Sequence, residues 1–159
     1  FLLISKLLAG TSVSIIQVYV FLGIAYLFEI EAPAMGYLAL LPVLIVTGLM
    51  LGALGMLLSA TVRQLENFAG IMNFVIFPMF FLSSALYPLW KIGESSPLLK
   101  QICELNPFTY AVESIRFALY QQFNETAFFI TVMAGALFLL LAVRGYNPAK
   151  GMAQRKGQP

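Results

Sequence analysis

The sequence contains no histidine, no aspartate and a single cysteine, Cys103. Without His or Asp there is no Ser-His-Asp triad, no imidazole general base, no His-rich metal site and no Asp-based Mg²⁺ cradle. A lone cysteine forms no internal disulfide, so the redox compartment is not readable from it. Charge is scarce as well: 10% of the 159 residues are charged, nine Lys or Arg against seven acids, all of them Glu, where an average soluble domain carries about 25%. With 60% hydrophobic residues and a mean hydropathy of +0.89, a soluble globular domain is excluded. No G-x-x-x-x-G-K-[ST] loop is present to cradle phosphates. The chain opens on Phe1-Leu2-Leu3-Ile4 with no initiator Met and no secretory signal pattern, which reads as a fragment with further spans upstream.

The few charges are segregated. Residues 7–28, 32–62, 67–90 and 126–143 carry none. A helix needs about 20 apolar residues to cross a ~30 Å hydrocarbon core, and each run reaches or nearly reaches that length. The runs are continuously apolar rather than alternating, so they predict helices, in which every backbone polar group is paired within the segment. The expected architecture is an all-α polytopic bundle with spans at about 8–28, 37–61, 68–87 and 126–143, a membrane domain over 1–147 and a basic tail over 148–159. Pro42 and Pro78 fall inside the second and third spans as kinks that neighbouring helices can accommodate.

Orientation follows from the basic residues. Lys6 precedes the first span, Arg63 lies between the second and third, and the tail carries Arg144, Lys150, Arg155 and Lys156 without an acid. The positive-inside rule places all three regions in the cytoplasm. Glu29, Glu31 and the segment 88–125 then lie outside, and four crossings with both ends inside are self-consistent. The tail reads as a topology anchor with attraction for anionic lipid rather than a nucleic-acid site. Tyr19, Tyr26, Tyr37, Tyr87, Trp90 and Tyr110 sit mostly near span ends, as interface anchors do.

Residues 88–125 are amphipathic. Ser96-Pro97 and Asn106-Pro107 each place an N-cap before a proline at the first helical position. Two short helices are predicted, about Pro97 to Leu105 and Pro107 to Phe123, with Lys100 and Glu104 spaced i,i+4 and Glu113 and Arg116 spaced i,i+3. Such a pair either lies flat in the interface or dips into the membrane as a re-entrant hairpin. Asn124-Glu125-Thr126 matches a glycosylation sequon, to which no function is attached.

The run Phe77-Pro78-Met79-Phe80-Phe81-Leu82-Ser83-Ser84-Ala85-Leu86-Tyr87-Pro88-Leu89, followed by Asn106-Pro107-Phe108-Thr109-Tyr110-Ala111-Val112-Glu113-Ser114-Ile115-Arg116, resembles the signature of ABC-2 type transporter permeases. That family pairs a penultimate span ending in P-x-x-F-L-S-G-x-x-[FY]-P with an external re-entrant element, N-P-[LF]-T-Y with an acid and an Arg one turn apart, a last span and a basic tail. Ser84 stands where Gly is common and Glu113 where Asp is common, and Trp90 to Ser96 is more polar than the usual spacer. Members usually have six spans, so the four here correspond to the last four.

The resemblance implies the membrane half of an ATP-driven exporter, a permease homodimer working with two ABC ATPase subunits that bind ATP and Mg²⁺, in a bacterial inner membrane. This chain itself is then no enzyme and binds no cofactor. Lys6, Arg63 and Glu66 are the candidates for ATPase coupling. Glu113, Arg116, Asn106 and Pro107 are candidates for an external gate or clasp, with a solvated ion pair as the plainer reading. Gln17, Asn73, Ser83 and Ser84 are candidates for lining a pathway, or for interhelical hydrogen bonds or a bend. Gly48, Gly52 and Gly55, with Ser59, form a small-residue face for close packing or for movement. A lipid-modifying membrane enzyme and a non-transporting scaffold subunit are the competing functions; a coupled ATPase discriminates against both.

Overall fold

The structure, a computed structural model, describes residues 1–62 and 65–145, apart from the side chains of Leu65 and Phe68. Seven helices follow one another, with no strand among the described residues: α1 (Leu2–Leu27), α2 (Ala34–Thr61), α3 (Leu65–Phe81), α4 (Leu89–Ser95), α5 (Pro97–Leu105), α6 (Pro107–Leu119) and α7 (Glu125–Gly145). Arg63 and the tail 148–159 lie outside the described residues. The chain is a helical membrane bundle. Three helices, α1, α2 and α7, are long and apolar enough to cross a membrane, and α3 carries a shorter apolar stretch, Ala69–Phe81.

α2 is the centre of the bundle, packing against α1, α6 and α7. Leu40, Val43 and Leu44 of α2 join Ala118 of α6 in one buried cluster, flanked by Ile15, Val18 and Leu22 of α1 and Phe128 of α7. In lipid such packing relies on close van der Waals contact rather than on release of water, so small residues set how near the helices come. A side chain built on Gly48 would collide with Thr11, and one on Gly52 with Leu7. A side chain on Gly36, at the start of α2, would run into the backbone carbonyl of Leu119 at the end of α6. The outward faces of the long helices stay apolar and bare, with Phe21, Phe129, Leu137 and Leu140 all exposed, as a surface facing lipid requires.

Two helix ends use the same backbone device. After α1, Glu29 adopts φ 62 and the N–H groups of Glu29 and Ile30 return to the carbonyls of Tyr26 and Ala25; after α6, Gln121 adopts φ 60 and Gln121 and Gln122 return to Ala118 and Phe117. Both are Schellman closures with a side-chain-bearing residue where glycine is easiest. The α1–α2 turn is further tied by Tyr19, whose hydroxyl donates to the Tyr37 carbonyl at 2.6 Å.

Three expectations are corrected. The third helix ends at Phe81 instead of Tyr87, and its 17 residues rise only about 25 Å. The chain leaves the helix there because the Ser83 hydroxyl donates back to the Phe80 carbonyl and accepts from the Ala85 N–H, folding a tight turn. A helix α4, opened by Pro88, occupies the polar spacer; Gly93 in its middle had masked it. The last amphipathic helix stops at Leu119, at the Gln121 closure, rather than at Phe123.

Candidate functional site

The two halves of the motif are sewn together at the end of α3. Asn106 is the N-cap of α6: its Oδ1 accepts the Phe108 N–H at 3.0 Å, and Pro107, which has no N–H to orphan, takes the first helical position. That leaves both hydrogens of its Nδ2, which donates to the carbonyls of Met79 at 2.6 Å and Leu82 at 3.1 Å. Terminal carbonyls of a helix have no intrahelical donor. One amide therefore starts α6 and closes α3, and the rings of Phe80 and Phe108 meet beside it at 6.3 Å.

Nearly three turns further along α6, Arg116 makes a second attachment. Its Nη1 donates to Glu113 Oε1 at 2.9 Å and its Nη2 to the Ser84 carbonyl at 2.7 Å. Glu113 is 8% exposed and Ser84 fully buried, so the carboxylate depends on the guanidinium for its only charge partner among the described residues. Removing one member of such a buried pair costs about 3–5 kcal/mol, while the intact pair contributes far less. Both attachments land within six residues, from Met79 in the last turn of α3 to Ser84 in the turn after it, which makes the motif a two-point clasp.

Beside the clasp opens a cavity of about 410 Å³, walled by Pro88, Trp90, Tyr110, Glu113, Arg116 and Asn124 among others. Among the described residues no group of His, Cys, Asp or Glu is placed to hold a metal ion. The hydroxyls of Ser84, Thr109 and Ser114 are buried without a hydrogen-bond partner. Sequence reasoning missed Thr109 and Ser114 as buried polar groups; the signal was their position on α6, where Thr109, Glu113 and Arg116 recur at i, i+4 and i+7 on one face.

A family model for the ABC-2 type transporter matches residues 1–120, the stretch that contains both halves of the clasp. The chain belongs to the ABC-2 type transporter family. Among curated proteins the chain is similar to Nodulation protein J of Rhizobium leguminosarum bv. viciae, 34% identical over 93 residues, covering 55% of this chain and 35% of that protein. It is also similar to Nodulation protein J of Neorhizobium galegae, 29% identical over 136 residues, covering 86% of this chain and 46% of that protein. The chain thus spans less than half the length of these curated relatives. No solved structure matches it.

The remaining candidate residues are placed as follows. Ser83 and Ser84 are buried in the turn after α3, where they shape the clasp. Gln17 on α1 and Asn73 on α3 are exposed, on helices not packed on each other. Gly48 and Gly52 face α1, whereas Gly55 meets open space, so the close-packed face is one turn shorter than its spacing implied. Lys6 and Glu66 are exposed near the helix ends at the opposite side of the bundle from the clasp. Lys100 and Glu104 pair loosely at 3.8 Å on the exposed side of α5. On the same helix burial, helped by Glu104, pushes the Cys103 thiol above its ordinary value.

Proposed function

We propose that this chain forms the substrate pathway of an ABC exporter in a bacterial inner membrane, driven by a separate ABC ATPase subunit that binds ATP and Mg²⁺. The observation that carries the reading is the family match over a stretch whose two signature runs are joined by Asn106 and Arg116. In this reading the clasp lies at the external mouth and both ends of the chain face the cytoplasm, with Lys6, Arg63 and Glu66 on the ATPase side. The clasp fixes the outer end of α3 to α6, which itself packs on α2 and α7, so that this corner moves as one piece during transport. Gln17 and Asn73 are exposed here, and an amide inside the membrane is costly against lipid; a second permease copy or a water-filled path would cover them. The working unit is a permease homodimer with two ATPases, surrounded by membrane lipid.

Purification of the full-length protein in mild detergent, tagged at its C-terminal end and expressed with its neighbouring genes, tests this. An ATP-hydrolysing subunit at equal stoichiometry is the expected result. A clean preparation without one redirects the assignment to a membrane enzyme or a scaffold subunit.

A further inference from the structure

The cavity beside the clasp is large enough to hold a small molecule. Its volume of about 410 Å³ falls in the range of small-molecule pockets, roughly 300–1,000 Å³. Three observations define its occupant.

The first is depth. The cavity is bounded by Leu89 and Trp90 of α4, by Tyr110, Glu113, Arg116 and Phe117 of α6, and by Asn124, Thr126 and Ala127 at the start of α7. Since α7 is a membrane-spanning helix beginning at Glu125, the cavity sits where the hydrocarbon region gives way to the headgroup layer. The second is the lining, which is mostly apolar and aromatic, with Trp90 65% exposed. A molecule entering from the membrane keeps its apolar part against that wall.

The third is the charge. Glu113 and Arg116 stand side by side at 2.9 Å, so the site carries no net charge. Neither group is saturated. A guanidinium has five N–H donors, and Arg116 uses two of them, on Glu113 and Ser84. Glu113 Oε2 accepts no hydrogen bond from the described residues, and the Arg116 side chain is 31% exposed. A simple anion would meet Arg116 but also the neighbouring carboxylate; a simple cation would meet the reverse. A zwitterion with its two charges a few ångströms apart answers both. Its phosphate takes charge-assisted bonds from the remaining guanidinium N–H groups. Its ammonium faces the open carboxylate oxygen and the π-face of Trp90.

We propose that this cavity binds a zwitterionic phospholipid of the phosphatidylcholine or phosphatidylethanolamine type, phosphate on Arg116 and ammonium between Glu113 and Trp90. The proposal rests on the membrane placement of α7 and not on any exported cargo.

Trp90 is the only tryptophan in this sequence, and it reports on the site. The intact permease in neutral detergent is titrated with dihexanoyl phosphatidylcholine, dihexanoyl phosphatidylglycerol or glycerophosphocholine, each below its micelle-forming concentration. The signal is the fluorescence difference between wild type and Trp90→Phe. Phosphatidylcholine is expected to give a saturable change, with half-saturation at least about tenfold lower than for phosphatidylglycerol or for the chain-free headgroup, equivalent to about 1.4 kcal/mol. Glu113→Gln is expected to narrow the gap between the two lipids several-fold. Equal half-saturation for the two lipids overturns the proposal. So does equal binding of glycerophosphocholine, which would make this a site for soluble zwitterions, and so does a change that never saturates. The comparison between ligands does not depend on Glu113→Gln folding, and the Trp90→Phe control is accepted only if it gives the same monodisperse gel-filtration peak as the wild type.

Discussion

The Arg116 guanidinium donates to the Ser84 carbonyl at 2.7 Å across 32 positions of chain. With the shorter-range bond to Glu113, it ties a turn that has no secondary structure of its own to a helix packed into the bundle core. Arg116→Ala leaves Glu113 buried without a counter-charge and should cost about 3 kcal/mol. Transport per folded molecule should fall more than the amount of folded protein does, measured as export normalised to a monodisperse gel-filtration peak. Arg116→Lys should restore little, since an ammonium cannot present the planar fork that serves two separate acceptors. Unchanged transport per folded molecule would remove Arg116 from the functional residues.

Asn106→Ala removes three hydrogen bonds at once, the α6 cap and both α3 carbonyl contacts. An N-cap alone is worth about 1 kcal/mol, and the two orphaned carbonyls add to it, so a loss of roughly 2–3 kcal/mol is expected. Asn106→Asp is the sharper variant. It keeps the acceptor for Phe108 but turns two donors into a charge facing two carbonyls, and it should be no more stable than the alanine variant in thermal unfolding followed by circular dichroism. An aspartate variant with wild-type melting would show that the Met79 and Leu82 contacts contribute nothing.

Much of this was legible beforehand, and what was not follows a physical pattern. The cap at Asn106 and the pairing of Glu113 with Arg116 are local, spanning two and three positions, so residue spacing alone predicts them. The partners at Met79, Leu82 and Ser84 lie 24 to 32 positions away, and no periodicity encodes a contact at that range. Long apolar runs announced α1, α2 and α7. The end of α3 was hidden because Leu82 to Tyr87 carries no charge and so continues the uncharged run of the helix before it, and the stop is made by hydrogen bonds from Ser83 and Asn106.

The glycine face supplies a paired prediction. Gly52→Leu drives a branched side chain into Leu7 and should loosen α1 from α2, whereas Gly55→Ala meets open space. The first should lower the melting temperature by several degrees, a loss of about 1–3 kcal/mol from overpacking; the second should leave it unchanged or slightly raised. Equal melting of the two variants would reject the asymmetry.

Gln121 holds a left-handed conformation at φ 60. Glycine adopts it without the Cβ penalty, so Gln121→Gly should stabilise by about 0.5–1 kcal/mol after the added flexibility of the unfolded chain is subtracted. A lowered melting temperature would mean that the Gln121 side chain makes a contribution larger than that strain.

Cys103 is 1% exposed, and burial, together with Glu104, raises its thiol pKa. A raised pKa means less thiolate at neutral pH, so burial and protonation act in the same direction against reaction. Maleimide should label Cys103 slowly at pH 7 in the folded protein and rapidly after denaturation. Fast labelling of the folded protein would show that α5 opens away from the bundle.

The residue that follows Asn106 gives the clasp a chemical lifetime. Asparagine side chains age by cyclisation, when the backbone nitrogen of the next residue attacks the side-chain amide and releases ammonia. At this position the next residue is Pro107, whose ring nitrogen carries no hydrogen and cannot make that attack. The proline that opens α6 thus also keeps its neighbour an amide. The negative charge that would break both α3 contacts does not arise by this cyclisation.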